Sequence, residues 1–178
     1  MDHSTHGTHL SSVAAMSLSG LVLTAVVPGL VRLARRAALW ERISLPPGVA
    51  LPLLILLHAW AVLADLGRPM PVAVMYVSEL VLLWAAVMFW LPVLTRTRHR
   101  LSDPGRCLYL FLAAPLLDLP ALGAIAAGHP AEGIAMIIGM LPLGVIAAVT
   151  TWSWINTEER SAPDVLAVSA QGGVPPRP

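Results

Sequence analysis

The chain has 178 residues, 57% of them hydrophobic and 12% charged, and a net charge of +1. Soluble domains carry about 25% charged residues, so this composition excludes an ordinary soluble domain, and the near-neutral balance argues against a nucleic-acid partner. A single cysteine, Cys107, excludes an intrachain disulfide and a two-cysteine metal motif.

The chain opens with a polar arm, residues 1–9, carrying His3, His6 and His9. Met1-Asp2-His3 offers an amine, two backbone amides and an imidazole, a donor set suited to square-planar Cu(II). The histidines at spacings of three extend that set along one side of a helix or around an ion in a flexible arm. The apolar run at 10–32 follows Asp2 and histidines where a secretory signal would have a basic segment, and it is longer than a signal core. It is expected to be a retained, reverse-oriented anchor.

Further apolar runs occupy residues 47–65, 71–94, 106–127 and 131–154. Each is long enough to cross some 30 Å of hydrocarbon as a helix, the only open form in which a backbone satisfies itself there. Pro46, Pro47, Pro69, Pro104 and Pro130 stand near the starts of these runs, where a missing N–H costs nothing, and Asp103 is placed to cap the fourth. Pro52 falls in the first turns of the second run and is tolerable there. Trp40, Trp60, Trp90, Trp152 and Trp154 fall near span ends, as interfacial anchors do.

There is no lysine. Arg32, Arg35, Arg36 and Arg42 follow the first run and Arg96, Arg98, Arg100 and Arg106 the third, whereas the alternate segments hold only Arg68. The positive-inside rule then puts the N-terminus outside and the C-terminus in the cytoplasm. The reading is an all-α integral membrane protein of the bacterial cytoplasmic membrane, a bundle of about five transmembrane helices. A histidine-rich extracytoplasmic arm (1–9) precedes the transmembrane domain (10–160). After Arg160 the chain fills with Pro, Gly and Ser, so residues 161–178 are expected to form a disordered cytoplasmic tail.

Ionisable residues inside spans cost about 2.5 to 3.5 kcal/mol at a helix centre and call for an explanation. His58, Glu79 and Asp118 all fall roughly 10 to 15 Å below the outer surface, in one layer. Met16, Met70, Met75, Met136 and Met140 belong to the same outer halves, and Met75 with Glu79, like Met136 with Met140, stands four residues apart on one helix face. Thioethers suit Cu(I), imidazole either copper state, and a carboxylate Cu(II) or the second nitrogen of a ligating imidazole. The expected metal ligands are His3, His6, His9, His58, Met75, Glu79, Met136, Met140 and Asp118, and the expected metal is copper. The same groups also fit core packing by methionine and interhelical bridging by His58, Glu79 and Asp118. His129 and Glu132, at the mouth of the last span, could serve as entry ligands, although loop geometry and the positive helix N-terminus account for them without a metal.

Phe89-Trp90-Leu91-Pro92-Val93-Leu94, Arg100-Leu101-Ser102 and Arg106-Cys107-Leu108-Tyr109-Leu110-Phe111-Leu112 resemble the CtaG-like cytochrome c oxidase assembly factors of bacteria. Gly139-Met140-Leu141-Pro142-Leu143-Gly144 with Glu158-Glu159-Arg160 is similar to the end of that family's last helix, so the likeness runs over about residues 47–160. It implies histidines on the outer side that handle copper for the oxidase, with His9 and His58-Ala59-Trp60 in two of their places. Where the family's paired histidines would stand, this chain has Met75 and Glu79, and two spans fewer are expected.

No nucleophile with a base, phosphate loop or haem-type histidine pair is present, so a non-enzymatic role is expected. The leading reading is a copper-binding membrane chaperone that loads through the histidine arm and serves a cuproenzyme. Its partners would be membrane lipid and that enzyme, with homo-oligomerisation left open. The rival is an accessory subunit of a larger membrane complex; a proton-coupled carrier fits less well, because the spans are few and no internal repeat is visible.

Overall fold

The computed structural model describes residues 13–36, 39–67 and 71–171, with 65–67 and 161–171 as backbone alone. Among these, every regular element is a helix: α1 (Val13–Leu33, with a π-helical stretch Val22–Val26), α2 (Leu39–Ile43), α3 (Pro47–Gly67), α4 (Val72–Leu94), α5 (Asp103–Ala126) and α6 (Pro130–Gln171). All but α2 are long and apolar enough to cross a bilayer, and the chain is a multi-pass membrane protein. The histidine arm, Arg68 and Met70 lie outside the described residues.

The five long helices close a ring in the order α1, α4, α3, α5, α6, each packed against the next and α6 against α1. Small residues set the closest crossings, as they do where lipid supplies no hydrophobic drive between helices. A Cβ on Gly139 of α6 would lie 2.6 Å from the Ser17 carbonyl oxygen of α1, and one on Gly20 would lie 3.1 Å from the Gly139 backbone. Thr24 sits at this crossing and shares its hydroxyl proton between the carbonyls of Gly20 (2.8 Å) and Gly139 (2.9 Å). The α5–α6 hairpin turns on Gly128, with φ +92°. The His129 N–H returns to the Ala124 carbonyl and the Gly128 N–H to Ile125, a Schellman closure.

The ring is packed unevenly. Towards the end that carries the arginine loops, Ala85, Ala86 and Met88 to Val93 of α4 are all buried, Phe89 stacking on Tyr109 at 4.9 Å and meeting Trp90 edge-on at 5.2 Å. At the opposite end, residues 71–81 of α4 are exposed on every side except at Ser78, which is half-buried. The bundle is therefore closed at the arginine end and splayed along α4 at the other.

Three local expectations are corrected. Ser102, not Asp103, is the N-cap of α5: its side chain accepts from the Gly105 N–H at 3.4 Å, while Asp103 opens the helix and pairs with Arg106 at 3.1 Å. An N-cap must stand outside the helix with extended backbone, and Ser102, at φ −62° and ψ 163°, does so while Asp103 is already helical. Trp90 is core and not an interfacial anchor, being 1% exposed with its indole N–H bonded to Leu23. Helix α6 does not stop at Arg160 but continues to Gln171. Extending an existing helix costs little per residue compared with starting one, and the stretch from Asp164 to Gln171 contains no glycine. Its 42 residues reach about 63 Å, so α6 projects well past the hydrocarbon.

Candidate metal centre

At the splayed end the ring encloses a cavity of about 180 Å³. Helical spacing builds its walls. Helix α1 contributes Met16, Ser19 and Gly20, α3 contributes His58, Ala61 and Val62, and α4 contributes Met75, Ser78, Glu79 and Leu82. Each set follows the i, i+3, i+4 pattern that puts side chains on one face. Met136 closes the α6 side. Leu82, 4% exposed, lies towards the packed end, while Met75 and Glu79 are exposed at the open side.

His58 is 4% exposed, and both its ring nitrogens are buried without a hydrogen bond of good geometry. The Leu117 carbonyl of α5 is close to the ring but does not meet that geometry. His58 lines the cavity, and a buried imidazole with an unmet nitrogen has capacity for a ligand. The neighbouring carbonyl suits the second nitrogen in the way that orients metal-bound histidines. Met136 is 2% exposed and Met16 is half-buried, so two thioethers stand in the wall with little freedom to leave it. The Ser78 hydroxyl is committed to the Met75 carbonyl at 2.8 Å.

The structure thus brings together four of the expected ligands, His58, Met75, Glu79 and Met136, and leaves two out. Met140 lies one turn beyond Met136, where α6 has passed the cavity, and is 5% exposed in the core that contains Phe89 and Trp90. Asp118 is half-buried on α5, with Oδ1 unbonded, and does not line the cavity. Equal depth did not bring it in, because α5 contributes no residue to the cavity wall and only its Leu117 backbone approaches His58. His3, His6 and His9 fall outside the described residues. Glu132 is buried at the start of α6 and also stands apart from the cavity.

Met16 joins the site although sequence reasoning assigned it only to the outer layer. The signal was available, since Met16, Ser19 and Gly20 repeat the spacing of the other two walls. Among the described residues, no three His, Cys, Asp or Glu side chains gather as an ion site. Any ion here would depend on the thioethers, with one imidazole and one carboxylate. No family model, curated protein or solved structure matches the chain.

Proposed function

We propose that this protein holds copper in the cavity between α1, α3, α4 and α6 and hands it on for assembly of a cuproenzyme such as cytochrome c oxidase. The ion would enter from the extracytoplasmic side by way of His3, His6 and His9. The observation that carries the reading is the convergence of Met16, Met75 and Met136 with His58 and Glu79 on one cavity. Thioether sulfur is a soft donor that favours Cu(I), and imidazole accepts either oxidation state. Met75 and Glu79, both at the exposed side, would offer an arriving ion one soft and one hard donor, with His58 and Met136 buried behind them.

Copper analysis of the tag-free protein tests this directly. About one or more copper ions per chain are expected after loading, with less in His58→Ala and in Met75→Ala. Deleting residues 1–9 should slow loading and leave the final occupancy unchanged. Protein that stays copper-free under loading conditions overturns the proposal.

One observation favours the second reading, an accessory subunit. The exposed stretch 71–81 of α4 puts Tyr76, Val77 and Leu80, each at least 60% exposed, around a helix that has no neighbour on most of its surface. In a bilayer lipid would cover it, and a larger membrane partner would replace that lipid. Copurification of a stable complex without copper would support that reading and oppose the first.

A further inference from the structure

At the packed end of the bundle a second recess, of about 650 Å³, lies where α1 and α4 end and α5 begins. Five arginines line it, Arg35 and Arg36 from the turn after α1, Arg96 and Arg100 from the α4–α5 loop, and Arg106 from α5. Against them stands one lining carboxylate, Glu41, and Asp103 pairs with Arg106 from outside the recess.

This gathering is built by the backbone. The Leu101 N–H bonds to the Pro92 carbonyl at 3.0 Å and the Arg100 N–H to Thr97 at 3.1 Å, folding the loop back over the end of α4. Arg106 Nε reaches the Leu101 carbonyl at 3.2 Å and fixes the loop from the other side. Like charges held together repel, and the fold confines them where two helix ends and a fixed loop meet.

A second, independent feature belongs to the same wall. Thr97 lines the recess, is 8% exposed, and its hydroxyl is buried without a hydrogen-bond partner. Its neighbour Thr95, which also lines the recess, has its own hydroxyl committed to the Leu91 carbonyl at 2.6 Å. A buried hydroxyl with an uncommitted proton, among guanidinium groups that donate in planar forks, matches a tetrahedral oxyanion.

We infer that this recess is a phosphate-binding site at the membrane interface. It lies level with the span ends Leu33 and Leu94 and the span start Asp103, the depth at which phospholipid phosphates sit. It also lies on the side that the arginine pattern assigns to the cytoplasm, where anionic headgroups attract basic segments. The volume falls within the range of about 300 to 1,000 Å³ usual for small-molecule pockets.

The test uses the full chain in detergent and in nanodiscs. One arm measures retention of phosphatidylglycerol against phosphatidylcholine by native mass spectrometry; the other measures whether inorganic phosphate protects Arg96 and Arg100 from an arginine-modifying reagent such as butanedione. Preferential, saturable retention of phosphatidylglycerol identifies a lipid-borne phosphate, and protection by millimolar inorganic phosphate alone identifies a free one. Both outcomes support the site. Arg96→Gln with Arg100→Gln should weaken whichever ligand binds by roughly ten-fold or more, and Thr97→Val should weaken it several-fold. Arg98→Gln, exposed and outside the recess, serves as the control for nonspecific charge, and thermal unfolding of each variant as the control for folding. Equal retention of the two lipids together with no protection by phosphate overturns the inference, as does equal weakening by Arg98→Gln and by the double variant.

Discussion

Trp90 of α4 donates its indole N–H to the carbonyl oxygen of Leu23 in α1, 2.9 Å away. In the π-helical stretch the Val27 N–H bonds to Val22, five residues back, so the next donor in that register, the one for Leu23, would come from residue 28. That residue is Pro28, which has no N–H. A buried carbonyl left without a partner is costly, and Trp90 removes the cost from across the interface. Trp90→Phe is therefore expected to lower stability by about 1 to 3 kcal/mol, read as a fall in the thermal unfolding midpoint in detergent. In a Pro28→Ala background, where residue 28 regains a donor, the same substitution should cost less; equal costs in the two backgrounds would refute the register argument.

The two methionines of the α6 pair should behave differently. Met136→Leu keeps volume and should change stability by less than about 1.5 kcal/mol, yet it removes a thioether from the cavity wall. At the proposed copper site it should lower Cu(I) affinity on the order of ten-fold in a competition titration with a chelator. Met140→Leu, in the core that contains Phe89 and Trp90, should leave affinity unchanged. Identical affinities for the wild type and Met136→Leu would remove Met136 from the site.

The crossing of α1 and α6 leaves no space for a methyl group. Gly139→Ala would press its Cβ to 2.6 Å from the Ser17 carbonyl oxygen. The expected cost of overpacking is about 1 to 3 kcal/mol, together with a shift of α1 that carries Met16 away from His58. Gly144→Ala, which meets nothing within 4 Å, should be neutral or stabilising by up to about 1 kcal/mol. Thermal unfolding of both variants side by side distinguishes a specific close contact from a general intolerance of alanine in α6.

Orientation can be read with cysteine labelling, because the native thiol is buried and the chain has no other. Wild-type protein should resist a membrane-impermeant maleimide. Ala127→Cys, at the exposed α5–α6 turn, should react in intact cells, and Arg98→Cys, in the arginine loop, only after permeabilisation. The reverse pattern would overturn the topology derived from the arginine distribution.

The spans were legible in the sequence because lipid leaves helix as the only open choice and arginine and proline mark the ends. The fourth expected run started at 106 and the helix starts at Asp103, since Asp103, Pro104 and Gly105 at the helix start carry no apolar signal. The cavity was legible in part. Met75 with Glu79 reads as one face of one helix, but which helices face each other is decided by contacts such as Gly20 on Gly139, which periodicity does not encode. Depth alone therefore grouped Asp118 with His58 although they do not share the cavity. The continuation of α6 beyond Arg160 was hidden because Pro163 and the loss of apolar periodicity resemble a terminus, whereas a helix already under way needs neither a nucleus nor a buried face to go on.

Exposure along residues 71–81 of α4 has a practical consequence for anyone screening variants of this protein. Cooperative melting reports on the aromatic centre around Phe89, where most tertiary contacts would be lost at once. A change near Glu79 or Met75 touches a stretch that contributes little to that transition, so it can abolish ligand capture while the melting curve stays the same. Thermal shift alone would pass such variants as normal, and only an assay that measures occupancy would reveal them.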